Sequence, residues 1–239
     1  RLIVLLPFPL LLALGKLIGL VLLAFPSRRK TIALRNIEIC FPDLSADEQG
    51  AMLRANFINT GIAVMEVGIS WWWSKKRFQK LIHFAGVEHL NAVKDRGTML
   101  LGIHSTTLEV GATAVSLIRE RDGMYRAHGN PVYDFLQARG RMSKCIGNGV
   151  VYERRDVRGT MKALKAGRTL WYGPDQDYGL QQGLFVPFFN VPAATVYATA
   201  RFAQKTGAAV VPFSHVRLPG SQGYLVTFYP ALENFPVGD

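Results

Sequence analysis

Apolar positions crowd the start of the chain. Leu2 to Phe25 reads LIVLLPFPLLLALGKLIGLVLLAF, with Lys16 its only charge. As one helix this stretch would reach roughly 36 Å, enough for a hydrocarbon core of about 30 Å. Pro7 and Pro9 fall in its first turns, where proline harms a helix least. It runs into Phe25-Pro26-Ser27 rather than the small-x-small end of a cleaved signal peptide. Arg28-Arg29-Lys30 and Arg35 follow, and by the positive-inside rule they hold this flank in the cytoplasm. A helix lying in the membrane interface is the competing reading. Residues 31–43 read as a short link. Ser45-Ala46-Asp47-Glu48 is a capping box that opens a helical pattern through Met52, Phe57, Ile62 and Met65 toward Ile69. Trp71-Trp72-Trp73 beside Lys75-Lys76-Arg77 reads either as an interfacial aromatic belt or as packing on the domain.

From residue 80 the period changes. Strands are predicted at Leu81–Phe84, Thr98–Ile103, Val150–Tyr152, Thr169–Gly173, Ala208–Phe213 and Tyr224–Tyr229. Helices are predicted at Val87–Asp95, Thr107–Arg119, Val157–Ala166 and Thr195–Lys205. The continuous apolar run from Thr98 to Ile103 suits a strand buried on both faces. Strands alternating with helices give an α/β class, a mixed sheet flanked by helices, preceded by an N-terminal membrane helix. The expected division is an anchor over 1–27 and an α/β domain over 28–239. The chain is expected to be a fragment with an incomplete C-terminus.

Composition narrows the partners. Lys and Arg number 28 against 17 Asp and Glu, a formal charge of +11. That favours an anionic partner. A nucleic-acid binder would need a basic stripe with exposed stacking aromatics, but here the aromatics lie in apolar runs. Cys40 and Cys145 cannot staple a fold of this size, and the histidines show no metal spacing. Asp175-Gln176-Asp177 resembles the DxD of metal-dependent sugar transferases, a pattern too short to carry weight. No metal and no cofactor are expected.

The chemistry concentrates at His104-Ser105-Thr106-Thr107-Leu108-Glu109, between a buried strand and a helix. On one continuous helix His104 and Glu109 would point about 140° apart. They converge if the chain bends after His104, with Ser105 or Thr106 as N-cap. Glu109 would then orient one imidazole nitrogen while the other faces a pocket, as a general base requires. No protein nucleophile accompanies them, so a substrate hydroxyl must attack an activated acyl group. A capping histidine beside an unrelated glutamate fits the same spacing.

The wider pattern decides between these. His-x4-Glu-Val-Gly is followed by Tyr125-Arg126, Asn130-Pro131, Asp134-Phe135-Leu136-Gln137, Gly140-Arg141, Met161 to Gly167, Trp171 to Gly179, and Phe185-Val186-Pro187-Phe188-Phe189. In that order these blocks resemble the late acyltransferases of lipid A biosynthesis, the lauroyl/myristoyl/palmitoleoyl group, within the lysophospholipid acyltransferase superfamily. The resemblance runs from the N-terminal anchor to about Val226. It implies an acyl carrier protein thioester as donor and a hydroxyl on a Kdo-bearing lipid A precursor as acceptor. The work would be done on the cytoplasmic side of the bacterial inner membrane, without a covalent enzyme intermediate. It implies His104 as base and Glu109 as its partner, with Arg141 and Asp175 required for activity. Arg141 would bind phosphate or steady the thioester oxyanion, and Asp175 would tether that arginine or a substrate amide. Asp177 could share the role of Asp175. Arg126 is a candidate for substrate contact, and Arg154, Arg155 and Arg158 for donor docking. Phe185, Phe188 and Phe189 are expected in the core, and His128 and His215 are expected to be structural. Acylation of another glycolipid or lysophospholipid, or a non-catalytic lipid-binding protein of the same fold, are the alternatives.

Overall fold

The computed structural model describes residues 2–176, 179 and 183–236. Asp177 therefore lies outside the described residues. A 3-10 turn, Leu2–Leu5, leads into α1 (Phe8–Ala24), α2 (Arg28–Cys40) and α3 (Ala46–Trp72). The predicted long apolar helix and the predicted link are both corrected here. Pro26 lacks the N–H that would continue α1, and Ser27 caps a new helix by accepting from the Lys30 amide at 3.2 Å. At 17 residues α1 spans about 26 Å. Among the described residues no single helix is long and apolar enough to cross a membrane. α1 and α2 qualify only together, across a 91° bend.

One stripe of α1, Phe8, Leu11, Gly15 and Gly19, is buried against α3, while Leu10, Leu17, Val21 and Leu22 face outward. The two helices touch backbone to backbone. A Cβ on Gly61 would meet the Gly15 carbonyl oxygen at 2.2 Å, and one on Gly19 would meet that of Phe57 at 2.3 Å. The capping box forms, with the Ser45 amide donating to Glu48 at 2.8 Å. The tryptophans do not form a belt. Trp71 and Trp73 are buried and only Trp72 is exposed. Trp73 Nε1 donates to the Val4 carbonyl at 2.6 Å, and the Arg77 guanidinium lies 3.6 Å over its ring.

The remainder is an α/β unit. Its elements are α4 (Lys75–Gln79), β1 (Ile82–Ala85), α5 (Val87–Asn91), β2 (Thr98–Leu101), α6 (Leu108–Ile118), β3 (Arg121–Tyr125) and α7 (Pro131–Met142). There follow β4 (Val151–Glu153), α8 (Val157–Lys165), β5 (Thr169–Tyr172), β6 (Gly183–Phe188), β7 (Val191–Val196), α9 (Ala198–Thr206), β8 (Ala209–Arg217) and β9 (Tyr224–Phe228). Seven strands form a mixed sheet in the order β1-β9-β8-β2-β5-β3-β4, parallel except where β8 meets β9. Successive residues of the central strands feed opposite faces. Leu100, Trp171 and Val211 pack with Val110, Ala114 and Val115 of α6. Met99, Leu170 and Val210 pack with Leu164 of α8 and Phe202 of α9.

β3, α7 and the β6–β7 hairpin were not predicted. β3 opens on Arg121 and Asp122, which are buried and so break the apolar pattern. Asp122 is satisfied by Arg168, whose Nε donates to it at 2.5 Å. Thr195, expected in a helix, pairs with Leu184 in the hairpin, and α9 starts three residues later at Ala198. Phe185, Phe188 and Phe189 are exposed rather than in the core. The hairpin turns at Phe189-Asn190, outside the sheet that would have covered them.

Candidate active site

Adjacent parallel strands carry the centre of the site. β2 and β5 run in register from Thr98↔Thr169 to Leu101↔Tyr172. The same offset three residues further on brings His104 to Asp175. His104 Nδ1 lies 2.6 Å from Asp175 Oδ1, and its backbone N–H donates to Oδ2 at 2.7 Å. The carboxylate thus fixes both the main chain and the ring of one residue. Nδ1–H is the tautomer this contact favours, which leaves Nε2 unprotonated. No described residue hydrogen-bonds Nε2. The ring edge meets Trp171, with centroids 5.4 Å apart and planes at 89°.

Glu109 is in the first turn of α6, as expected, but it does not orient His104. Its carboxylate accepts from Arg141 Nε at 2.9 Å and Nη2 at 2.5 Å, and from Trp71 Nε1 at 2.9 Å. The expected pairings are exchanged: Asp175 holds the histidine, and Glu109, not Asp175, holds the arginine. The reason is topological. The chain leaves β2 beside β5, whereas α6 leans against α3 and α7, which carry Trp71 and Arg141. The N-cap position of α6 is Thr107 rather than Ser105 or Thr106, and its hydroxyl makes no cap bond. It donates instead to the His215 carbonyl at 2.9 Å, and Ser105 Oγ lies 3.2 Å from His215 Nδ1. β8 thereby braces the turn that presents His104. Burial pushes the His215 imidazole down to about 4.

Both pairs border one cavity of about 1180 Å³. His104, Glu109, Arg141 and Trp171 line it, together with Arg126, Arg154 and Arg155. Arg126 and Arg154 each directly follow a strand, β3 and β4, so the cavity follows the carboxyl edge of the sheet, where open α/β sheets bind ligands. Arg158, on the first turn of α8, is exposed and does not line it.

Sequence reasoning missed three cations. Arg201 and Lys205 are one helical turn apart on α9 and line the cavity. Arg121 lies beneath it, donating through Nε to the Ala112 carbonyl at 2.7 Å and Ser116 Oγ at 2.8 Å, and through Nη2 to the Arg141 carbonyl at 3.2 Å. Burial pushes its guanidinium down to about 10, which leaves it charged at neutral pH. The helical spacing of Arg201 and Lys205 was legible, but nothing in it shows which way α9 faces. Among the described residues no three His, Cys, Asp or Glu side chains gather as metal ligands.

The arrangement can take a proton from a hydroxyl at Nε2 beside a cation-rich wall. Comparison with known proteins gives the chemistry its context. The family model described as bacterial lipid A biosynthesis acyltransferase matches residues 1–239. A lipid A biosynthesis lauroyltransferase of Escherichia coli K12 is 39% identical, over 100% of this chain and 78% of its own. The palmitoleoyltransferase of the same strain is 36% identical, over 98% and 76%. A lipid A biosynthesis acyltransferase of Haemophilus influenzae is 37% identical, over 95% and 73%.

Proposed function

The chain belongs to the bacterial lipid A biosynthesis acyltransferase family, and from that premise we propose that it moves a fatty acyl chain from an acyl carrier protein thioester to a hydroxyl of a Kdo-bearing lipid A precursor. The reaction runs at the cytoplasmic face of the inner membrane. The observation that carries the mechanism is the His104–Asp175 contact at 2.6 Å, with Nε2 left without a hydrogen-bond partner among the described residues beside the cavity.

Nε2 accepts the proton of the acceptor hydroxyl as its oxygen attacks the thioester carbonyl. Asp175 stabilises the imidazolium that forms and keeps the ring from turning. The tetrahedral adduct collapses to the ester and expels the carrier's thiolate, which regains the proton from Nε2. No acyl-enzyme forms, because the attacking oxygen belongs to the substrate. Glu109 and Arg141 act as a positioning pair. The guanidinium is held by a carboxylate, which fixes α6 to α7 along one wall of the cavity. Arg126, Arg154, Arg155, Arg201 and Lys205 give that space a positive potential suited to an anionic acceptor and an acidic carrier.

The test is thioester consumption by purified protein with a lipid A precursor in neutral detergent. Turnover that requires both substrates and is lost in His104→Ala supports the reading. Near-wild-type turnover in that variant overturns it.

A further inference from the structure

The β6–β7 hairpin is an uncharged ribbon that stands apart from the main sheet. From Gly183 to Val196 it reads GLFVPFFNVPAATV, without a single charge. In a ribbon with one face on a core, apolar and polar residues alternate. Here both faces are apolar, since Leu184 and Phe188 fall on one and Phe185 on the other. Yet the hairpin is left out of the seven-stranded sheet. Phe185 and Phe188 are each 59% exposed, Leu184 52% and Phe189 48%. A two-stranded ribbon is marginal in water, and an exposed apolar patch of this kind marks a contact surface.

The tip adds a second sign. Its two turn residues, Phe189 and Asn190, have φ of 48° and 59°. Asparagine tolerates that region, whereas a bulky aromatic there is an outlier. An outlier of this kind points to a side chain kept for what it contacts. The Phe189 ring meets Phe41, at the end of α2, with centroids 4.9 Å apart. The tip thereby meets the carboxyl end of α2, the helix whose first turn, about 18 Å away along its axis, carries Arg28, Arg29 and Lys30.

We propose that the β6–β7 hairpin inserts its tip into a lipid surface, as a membrane contact separate from the N-terminal helices. A bilayer covers both faces of a ribbon, which a protein docked on one side does not. Its anionic headgroups complement the basic turn of α2 and the net charge of +11. An acidic carrier protein would need cations on the ribbon, and it has none. The hairpin is also tied to the cavity at its carboxyl end, where Val196, Tyr197 and Ala198 line it. Seating the tip in the bilayer sets the cavity mouth at headgroup level, where a lipid acceptor enters from the membrane plane.

The experiment has two arms. In the first, Cys40 and Cys145 are replaced by serine, and an environment-sensitive fluorophore is placed at Asn190→Cys or, as control, at Lys94→Cys near the amino end of β2. The full chain is mixed with phosphatidylethanolamine–phosphatidylglycerol vesicles carrying nitroxide-labelled lipid. A blue shift with quenching at position 190 and none at 94 is expected. A probe at 190 that stays in water overturns the proposal.

The second arm rests on the acyl-transfer reading. It compares Phe185→Ser/Phe188→Ser/Phe189→Asn with the unchanged chain. Because each ring withdrawn from water contributes on the scale of a factor of ten, kcat/KM toward an acceptor in vesicles should fall about tenfold or more. Activity in neutral micelles should stay within about twofold of the unchanged chain. Equal loss in both media, or no loss in vesicles, overturns the proposal. An inserted probe on a protein without acyl transfer would sink the activity reading and leave this one standing.

Discussion

At the scale of single residues, the two carboxylates of the candidate site have different partners, Asp175 the histidine and Glu109 the arginine, and their variants should separate. His104→Ala is expected to lose about two to four decades of turnover with the fold intact, the usual worth of a general base. Asp175→Asn should also lose turnover, because the charge that steadies the imidazolium is gone, while KM moves little. Glu109→Ala behaves otherwise. Its carboxylate is 13% exposed and bound to Arg141, so removal leaves a largely buried cation uncompensated. Breaking such a pair costs about 3–5 kcal/mol, discounted here because Arg141 is 21% exposed. A lowered melting temperature that accompanies the lost activity, and is partly relieved in Glu109→Gln/Arg141→Met, is the expected signature. A wild-type melting curve for Glu109→Ala would contradict it. His215 gives a pH test. In the fold its imidazole is pushed to about 4 from an ordinary 6.5, so between those values the unfolded chain binds more protons. Stability therefore falls as pH drops from about 6.5 toward about 4, and denaturant midpoints for His215→Asn should be flatter over that window.

At the scale of elements, the α1–α3 contact is the most sensitive joint. Gly19→Leu would drive a side chain into the Phe57 carbonyl, and backbone there cannot retreat without parting the helices. The expected loss is above about 2 kcal/mol by denaturant titration, against little effect for Gly50→Ala on the open face of α3. How much could be read beforehand follows the same logic of contacts. β2, β5, β8 and β9 were legible because each is an apolar run, and α3 because its capping box is local. β3 was not, because its first residues are the charged Arg121 and Asp122, and Asp122 is satisfied by Arg168, 46 positions further on. The motifs picked out His104, Glu109 and Arg141, which the fold gathers at one cavity, yet the expected pairing was misread. Which carboxylate meets His104 depends on β2 and β5 being neighbours, and periodicity along one strand says nothing about its neighbour. Phe185, Phe188 and Phe189 were assigned to the core because hydrophobicity alone does not distinguish a protein interior from another apolar surrounding.

At the scale of the whole molecule, the N-terminal segment is part of the core. Phe8 packs on Trp73 and Tyr224 at centroid distances of 6.4 and 5.9 Å, and Leu11 is wholly buried. A chain begun at Ser27 is therefore expected to lose cooperative thermal unfolding and to aggregate, instead of simply leaving the membrane. A sharp, wild-type-like transition would show that the body stands without α1. The excess of positive charge has a kinetic consequence. Complementary charge mainly speeds encounter and is screened by salt. kcat/KM for a carrier-protein thioester should fall as ionic strength rises, with kcat little changed. Arg154→Glu/Arg155→Glu should raise KM for that donor and flatten the dependence. An acyl-coenzyme A donor used equally well, with no response to the reversal, would assign the charge to lipid and acceptor instead.

The edge of the His104 ring against Trp171 gives the enzyme an optical signal of its own. A protonated imidazole in contact with an indole withdraws its excitation, whereas a neutral one does so far less. Each proton that Nε2 takes should therefore dim Trp171, and each one it returns should restore the light. His104→Ala, which removes the quenching ring, should brighten Trp171 in a steady-state emission spectrum, without label or coupled assay. Trp171→Phe would supply the dark control.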